Sequence, residues 1–219
     1  RAAKTGMLFS EAVIEAVAKG LADKDFPLVV DPVCVAQSGA RLLLPEAVEA
    51  ILTRMAPLAD LLTPNRLEAE LLAGLPIGGK ADAGEVIRRL LARGAKAVLL
   101  KGGHFEIGQT PDSLVTDRLV LADGREWTLS RPFVATRNTH GTGCTLSAAV
   151  AGHLALGKPL PEAVEAARDY LQLALETSWD LGEGDGPVNH LAPFEGRLPG
   201  WTKQTRSEER RVGKECRSR

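Results

Sequence analysis

The stretch of this sequence most suited to chemistry is a run of small and polar residues, Asn138-Thr139-His140-Gly141-Thr142-Gly143-Cys144. An apolar, alanine-rich segment at 145–156 follows at once and is long enough for a helix of about three turns. Glycines permit a tight turn and leave backbone N–H groups uncovered, so these groups and the positive end of the helix can bind an anion. Thr139 and Thr142 could add hydroxyl donors, and the field of the helix favours a thiolate at Cys144.

A purely structural interpretation of the same run is also open, because glycine turns often precede core helices and cysteine is commonly an inert buried residue. Two threonines, a histidine and a first-turn cysteine in one loop favour the anion site instead. His140 could lie beside a bound phosphate or only satisfy backbone groups of the loop. The sequence contains no G-x-x-x-x-G-K-[ST] pattern, so the loop is not a Walker-type P-loop.

Other polar residues come directly after short apolar runs that are typical of buried parallel strands. They are Asp31 at the end of 27–31, Asn65 and Glu68 after 59–63, and Lys101 at the end of 96–101. In open α/β sheets, ligands bind outside the carboxyl ends of the strands, where these side chains would gather. Each also has an ordinary interpretation: Asp31 as a turn residue, Glu68 as a helix-dipole partner and Lys101 as a solvated lysine.

The segments between these residues predict the scaffold that positions them. Helical patterns at 10–22, 45–55, 66–73 and 82–93 alternate with the three strands, which predicts a parallel sheet covered on both faces. An antiparallel meander is predicted farther along, with strands at 113–116, 119–121 and 126–129 and turns at Asp117-Arg118 and Asp123-Gly124. A final amphipathic helix is predicted at 161–179.

Composition bounds the function only loosely. The length of 219 residues favours one domain with a sizeable core, and 44% hydrophobic and 25% charged residues are ordinary for a globular protein. The net charge of −1 offers no field for nucleic acid or a membrane surface, and no apolar stretch is long enough to span a bilayer. Three cysteines at unrelated spacings predict no disulfide framework and fit a reducing, cytoplasmic setting.

The run at 138–149, NTHGTGCTLSAA, resembles the signature of bacterial hydroxymethylpyrimidine/phosphomethylpyrimidine kinases of thiamine synthesis, members of the ribokinase-like superfamily. Further matching motifs are KTGML at 4–8, VVDPV at 29–33, LLTPNRLEAELL at 61–72, VLLKGGH at 98–104 and GPVNH at 186–190. Most of the superfamily carries aspartate as catalytic base after the glycines, whereas the pyrimidine kinases carry cysteine, as this chain does. The resemblance implies a three-layer α/β/α sandwich whose sheet is mostly parallel with an antiparallel part.

The resemblance further implies phosphoryl transfer from ATP with Mg²⁺, and it assigns the loop residues. Gly141, Thr142 and Gly143 would hold the transferring phosphoryl group. Cys144 would act as the base at the substrate hydroxyl, and a purely steric role for it is the alternative. The residues expected to contact ATP are Lys101, Asn65 and Thr139.

For the metal, the resemblance implies Asp31 and Glu68 as the residues that hold Mg²⁺, directly or through water. Val33 and Met7 fall at positions that would contact the pyrimidine, and both could equally be core side chains. Cys34 and Gln37 depart from the Met and Lys that are common in this part of the family, which leaves the local packing open.

Family members begin with further strands and a glycine-rich G-x-D-x-S-G-G-A-G segment that helps to form the pyrimidine pocket, and this sequence does not contain that segment. We therefore expect an N-terminally truncated kinase domain over 1–205, lacking its N-terminal strands, which alone is poorly soluble and inactive. Residues 206–219 are expected to be an artificial or disordered tail, with a genuine basic tail as the alternative.

We predict an enzyme that phosphorylates hydroxymethylpyrimidine and then its monophosphate, with no nucleic-acid or membrane partner and with a homodimer as one possible assembly. A pyridoxal kinase of the same fold is one alternative, because some relatives with cysteine in this loop accept pyridoxal. A non-catalytic, kinase-like ligand-binding module is another. It predicts the loss of at least one of the main site residues, and Glu68, Lys101, Gly141 and Cys144 are all present.

Overall fold

The computed structural model describes residues 1–34, 42–102, 110, 112–180 and 182–194. Within these ranges the chain forms one six-stranded sheet with a hydrophobic core on each face. Gln37, the end of the VLLKGGH motif at 103–104 and the tail at 206–219 lie outside the described residues. No helix in the described part is long and apolar enough to cross a membrane.

The six strands lie in the sheet in the same order as in the chain. They are β1 (Ala3–Thr5), β2 (Leu28–Val30), β3 (Leu61–Leu62), β4 (Ala97–Leu100), β5 (Leu114–Leu121) and β6 (Glu126–Pro132). Strands β1 to β4 are parallel, and β5 and β6 continue the sheet in antiparallel pairing. The predicted mostly parallel sheet with an antiparallel part is confirmed. Strand β1 was not predicted, because three residues are too few to show a period.

Neighbouring side chains along the parallel strands enter different cores. Leu28 and Val30 belong to one hydrophobic cluster, whereas Val29 between them belongs to the other. Leu61 and Leu62 divide in the same way. Because both faces are covered, these strands need apolar residues at every position, which explains why they appear in the sequence as continuous apolar runs.

The helices divide between the two faces. The first core is covered by α1 (Glu11–Gly20), α2 (Pro45–Ala50), α3 (Arg66–Ala73) and α4 (Lys80–Ala92), and the second by α5 (Thr142–Ala155) and α6 (Leu160–Glu176). A π-helical turn, Ile51–Met55, and a 3₁₀ turn, Ala56–Leu58, continue α2, and a second 3₁₀ turn covers Ala192–Phe194. Local signals set several ends: Ser10 caps α1, and Gly74 ends α3 at a φ of 61°.

The predicted meander is corrected to a single hairpin. Strand β5 runs without interruption through Asp117 and Arg118, so the turn predicted there is wrong, while the turn at Asp123-Gly124 joins β5 to β6. Asp117 is only 2% exposed, and its Oδ2 lies 2.7 Å from Nε of the buried Arg168 on α6. Two adjacent charged residues are typical of a turn when only the sequence is known. Here Asp117 can lie in the middle of a strand because the buried Arg168 pairs with it.

Asp60 joins the amino ends of the central strands, at the end of the sheet away from the polar strand ends. Its carboxylate accepts hydrogen bonds from the backbone N–H of Leu28 (2.8 Å), from Nζ of Lys24 (2.6 Å) and from Nζ of Lys96 (2.8 Å). Burial alone would raise the pKa of Asp60, but these hydrogen bonds outweigh it and hold the pKa below its ordinary value of 3.8.

Replacing Asp60 with asparagine is expected to destabilise the fold in a pH-dependent way. Because the folded-state pKa is depressed, the carboxylate stabilises the fold above about pH 4 and loses this contribution as the pH falls through the folded-state value. If the free energy of unfolding falls by about 1 kcal/mol, Tm should fall by about 2–4 °C at pH 7. The difference in Tm between the variant and the parent should become smaller below about pH 4. Asp25→Asn, which removes an exposed pair with Arg1, is the control that should leave Tm unchanged.

Candidate active site

A cleft of about 570 Å³ opens where the parallel strands end and helix α5 begins. Its volume lies within the range of about 300–1,000 Å³ that is usual for small-molecule sites. The predicted site residues that line it are Asp31, Val33, Asn65, Glu68, Lys101, Thr139, Gly141, Thr142, Gly143 and Cys144. The structure thus brings ten of the eleven predicted residues to one cavity.

Lys101 lies at the centre of this group. Its Nζ is 3.1 Å from Oδ1 of Asp31 and 3.8 Å from Oε2 of Glu68, and a methyl group at Gly143 would lie 3.1 Å from the same nitrogen. Burial alone would lower the pKa of Lys101, but the carboxylates of Asp31 and Glu68 outweigh it and raise the pKa. The side chain therefore carries a buried positive charge against the first turn of α5.

Four side chains from separate segments of the chain surround the carboxylate of Asp31. It is 1% exposed and accepts hydrogen bonds from Oγ1 of Thr63 (3.2 Å), Nζ of Lys101 (3.1 Å) and Oγ of Ser147 (3.0 Å). Nζ of Lys4 on β1 lies 3.7 Å from its second oxygen. These contacts fix the position of the carboxylate between the side chains of Lys4 and Lys101.

Glu68 and Asn65 form a reciprocal capping box at the start of α3. The Asn65 side chain accepts from the backbone N–H of Glu68 at 2.9 Å, and Oε2 of Glu68 accepts from the backbone N–H of Asn65 at 2.8 Å. Burial raises the pKa of Glu68, and the ammonium of Lys101 opposes that rise. Glu68 therefore stabilises the start of α3, as the helix-dipole interpretation expects, and it also lines the cleft.

The start of α5 has the geometry of an anion site. Gly141 caps the helix at a φ of 81°, a conformation that favours glycine, and Thr142, Gly143 and Cys144 form the first turn. Backbone N–H groups in the first turn have no acceptor within the helix, although that of Thr142 donates to the carbonyl of Thr139 at 3.3 Å. Cys144 is exposed and lines the cleft, so the mouth of the helix and its thiol open into the same cavity.

The two predicted metal ligands allow a limited test of fit. Within the described residues no group of three or more His, Cys, Asp and Glu side chains is placed to hold a metal ion. Asp31 and Glu68 nevertheless face one common cation, the Lys101 ammonium. Because Mg²⁺ usually keeps several waters and takes substrate phosphates as ligands, a pair of carboxylates at this mouth fits binding through water rather than a closed protein cage.

Three further residues named in the sequence analysis can be placed. Met7 is 53% exposed and is not among the cleft-lining residues, so its contact with substrate stays a prediction. His140 lines the cleft and its backbone N–H donates to the carbonyl of Gly186, and the two open interpretations of its side chain both stay predictions. Burial, then Glu68 and Asp31, raise the pKa of Cys34 to about 12, which makes this thiol inert.

Sequence reasoning missed several residues of the site. Ser147 lies one helical turn after Gly143 and reaches Asp31, and the i, i+4 spacing was an available signal. Arg168 lines the cleft and pairs with Asp117, which in turn accepts from the backbone N–H of Gly102 at 2.7 Å. An arginine on the otherwise apolar face of α6 was the available signal there.

The chain is similar in sequence and fold to several known proteins. The family model of phosphomethylpyrimidine kinase matches residues 1–189. The hydroxymethylpyrimidine/phosphomethylpyrimidine kinase of Haemophilus influenzae is 45% identical over 86% of this chain and 70% of its own length. The thiamine biosynthesis bifunctional protein ThiED of Geobacter sulfurreducens is 44% identical over 88% of this chain and 38% of its own length. The structure of Staphylococcus aureus pyridoxal kinase with AMP-PCP superposes with a TM-score of 0.76 at 31% identity, over 87% of this chain and 68% of that one.

Proposed function

Because the chain belongs to the phosphomethylpyrimidine kinase family, we propose that it transfers phosphoryl groups from ATP to hydroxymethylpyrimidine and then to the resulting monophosphate, for thiamine biosynthesis. The names of the relatives and the AMP-PCP complex of the related pyridoxal kinase support this proposal. The observation that carries it is the buried ammonium of Lys101 against the open first turn of α5, in a cleft large enough for small-molecule substrates.

Phosphoryl transfer needs positioning and compensation of charge more than covalent help from the protein. We assign the first turn of α5, with Gly141, Thr142 and Gly143, to the transferring phosphoryl group. Lys101 neutralises charge that develops on it, while Asn65 and Thr139 line the ATP side of the cleft. Lys101 and Asn65 directly follow or precede regular elements and the glycines belong to the start of α5, whereas Thr139 lies in the loop before that helix.

Cys144 is the proposed base. The proton of the substrate hydroxyl passes to Sγ of the thiolate as the hydroxyl oxygen bonds to phosphorus, and the bond from phosphorus to the leaving oxygen of ADP breaks. The position of Cys144 in the first turn of α5 supports this role, because its exposed thiol opens into the cleft beside the groups assigned to the phosphoryl group. A thiol base also requires a reducing compartment, which supports a cytoplasmic location.

Mg²⁺, when bound, would neutralise phosphate charge, and Asp31 and Glu68 would hold it through water. Asp31 orients Lys101 by accepting a hydrogen bond from its Nζ, and Glu68 fixes the start of α3 beside the cleft through its capping box with Asn65. We assign Val33, which lines the cleft, to the pyrimidine, and we retain Met7 as a second pyrimidine contact. The kinase domain is proposed to span 1–205, with 206–219 outside it.

The substrate is tested by comparing turnover of hydroxymethylpyrimidine and pyridoxal by the full-length protein with ATP and Mg²⁺. We expect kcat/KM for the pyrimidine to exceed that for pyridoxal at least tenfold. The similarity to solved pyridoxal kinases makes pyridoxal the relevant competitor. A preference for pyridoxal would replace the substrate and keep the kinase, whereas ATP binding without turnover of either alcohol would indicate the non-catalytic module.

A further inference from the structure

The GPVNH motif at 186–190 has no part in the proposed reaction, yet its segment is tied to the loop that leads into the anion site. We call residues 182–189 the strap. Arg137 Nη2 donates to the carbonyl of Gly182 at 2.7 Å, and its Nη1 to that of Glu183 at 3.3 Å. The backbone N–H of His140 donates to the carbonyl of Gly186 at 3.1 Å, and His140 pairs with Pro187 in a parallel bridge. The strap thus contacts both ends of residues 137–140.

Asn138 fills the space between these two ends. It is 1% exposed, and its Nδ2 donates to Oγ of Ser178 at 3.3 Å and to Oδ1 of Asp180 at 3.0 Å. A methyl group at Gly186 would overlap Oδ1 of Asn138 and would lie 3.0 Å from its Cγ. The strap and the loop therefore interlock at one position, which only a residue without a side chain can occupy.

The strap is also fixed to the end of α6. The backbone N–H of Asn189 donates to the carbonyl of Ala174 at 2.9 Å, and its Nδ2 donates to Oγ1 of Thr177 at 3.1 Å. The strap therefore connects the residues that precede Gly141 to α6, a 17-residue helix packed in the core. Their position depends on α6 as well as on their own turn.

We propose that Gly186 and Asn138 are positioning residues, which set the mouth of α5 relative to Lys101. The proposal rests on the proposed function for its catalytic consequence, but not for its structural one. A shift of residues 138–140 would move the phosphoryl-binding N–H groups relative to the buried ammonium of Lys101. Displacements of about 1 Å are enough to slow a catalysed reaction strongly.

The chain offers a matched pair of variants for the test. Gly186→Ala introduces the overlap with Asn138, whereas Gly184→Ala meets no atom within 4 Å, and neither glycine has a left-handed φ. In the full-length protein we expect Gly186→Ala to lower kcat at least tenfold, with KM for hydroxymethylpyrimidine changed less than threefold. Amide hydrogen exchange in a peptide that covers 137–144 should rise at least tenfold in Gly186→Ala. Gly184→Ala should match the parent in both measurements.

The double variant Asn138→Ala/Gly186→Ala isolates the interlock. Removing the Asn138 side chain vacates the space that the new methyl group needs, so the double variant should be no slower than Asn138→Ala alone. Strictly additive losses would overturn the interlock.

Unchanged hydrogen exchange in Gly186→Ala would overturn the positioning role even if turnover falls. Faster exchange with turnover equal to that of Gly184→Ala would overturn it as well. If the parent itself turns over no alcohol, the proposed function fails, and hydrogen exchange still decides whether the strap positions the loop.

Discussion

Replacing Lys101 with glutamine is expected to lower kcat of the full-length protein by about 10²–10³-fold, the usual effect of removing one preorganised group that stabilises developing charge. Glutamine keeps most of the length and a hydrogen-bond donor but lacks the charge. The Lys101 ammonium lies 3.1 Å from Oδ1 of Asp31 and against Gly143, whereas the Lys4 ammonium lies 3.7 Å from the other oxygen of Asp31. Steady-state kinetics with saturating ATP and hydroxymethylpyrimidine measures the effect.

The charge balance of the site explains why the loss should be large. Burial already raises the pKa of Glu68, and the Lys101 ammonium is the main opposing influence. Without it, Asp31 and Glu68 are two buried carboxylates that face each other, and Glu68 is expected to take up a proton at higher pH. Under the proposed assignment, the variant would lose both the cation at the phosphate and the ionised form of Glu68 that would help to hold Mg²⁺.

Lys96→Gln is the matched control for Lys101→Gln. Lys96 precedes the same strand at its other end, is 70% exposed and pairs with Asp60 at 2.8 Å. Exposed pairs contribute about 0–1 kcal/mol, so this variant should keep full turnover with a small change in Tm. Comparable kcat in the two variants would show that Lys101 does not act on the transferring group, and a solvated lysine would be the better description.

Much of the fold could be predicted because its main determinants are local. The parallel strands appear as continuous apolar runs, since both of their faces are buried, and Ser10 and Gly74 mark helix ends through their own backbone preferences. Asp117 shows where this reasoning stops. Its mid-strand burial depends on Arg168, which lies 51 residues farther along the chain, and no local pattern records that partner.

The residues of the site also divide into those with a local sequence signal and those that depend on distant partners. Asp31, Glu68 and Lys101 could be placed together because the carboxyl ends of parallel strands share one edge of the sheet. The spacing from Gly143 could have pointed to Ser147 but not to its partner Asp31, and Gly186 could not be found, because its importance comes from a contact with Asn138 in another segment. The family resemblance, which the comparisons confirm, names the residue types but not these contacts.

Cys144 has two possible roles, as a general base or as a residue that only fills space, and substitutions at this position should separate them. Cys144→Ala is expected to lower kcat by about 10²–10⁴-fold, the usual contribution of general base catalysis, with little change in KM for ATP. The thiol is exposed at the cleft, so the substitution leaves no buried cavity and should not lower Tm.

The comparison of Cys144→Ser with Cys144→Asp decides the chemistry. Serine reproduces the size of cysteine but is a far weaker base at neutral pH, whereas aspartate is larger and ionised, and most of the ribokinase-like superfamily uses it after the glycines. A base role predicts that the aspartate variant turns over hydroxymethylpyrimidine faster than the serine variant, by at least tenfold. A steric role predicts the opposite order. Normal turnover by Cys144→Ala would remove the base from the mechanism and leave the first turn of α5 and Lys101 to carry the transfer alone.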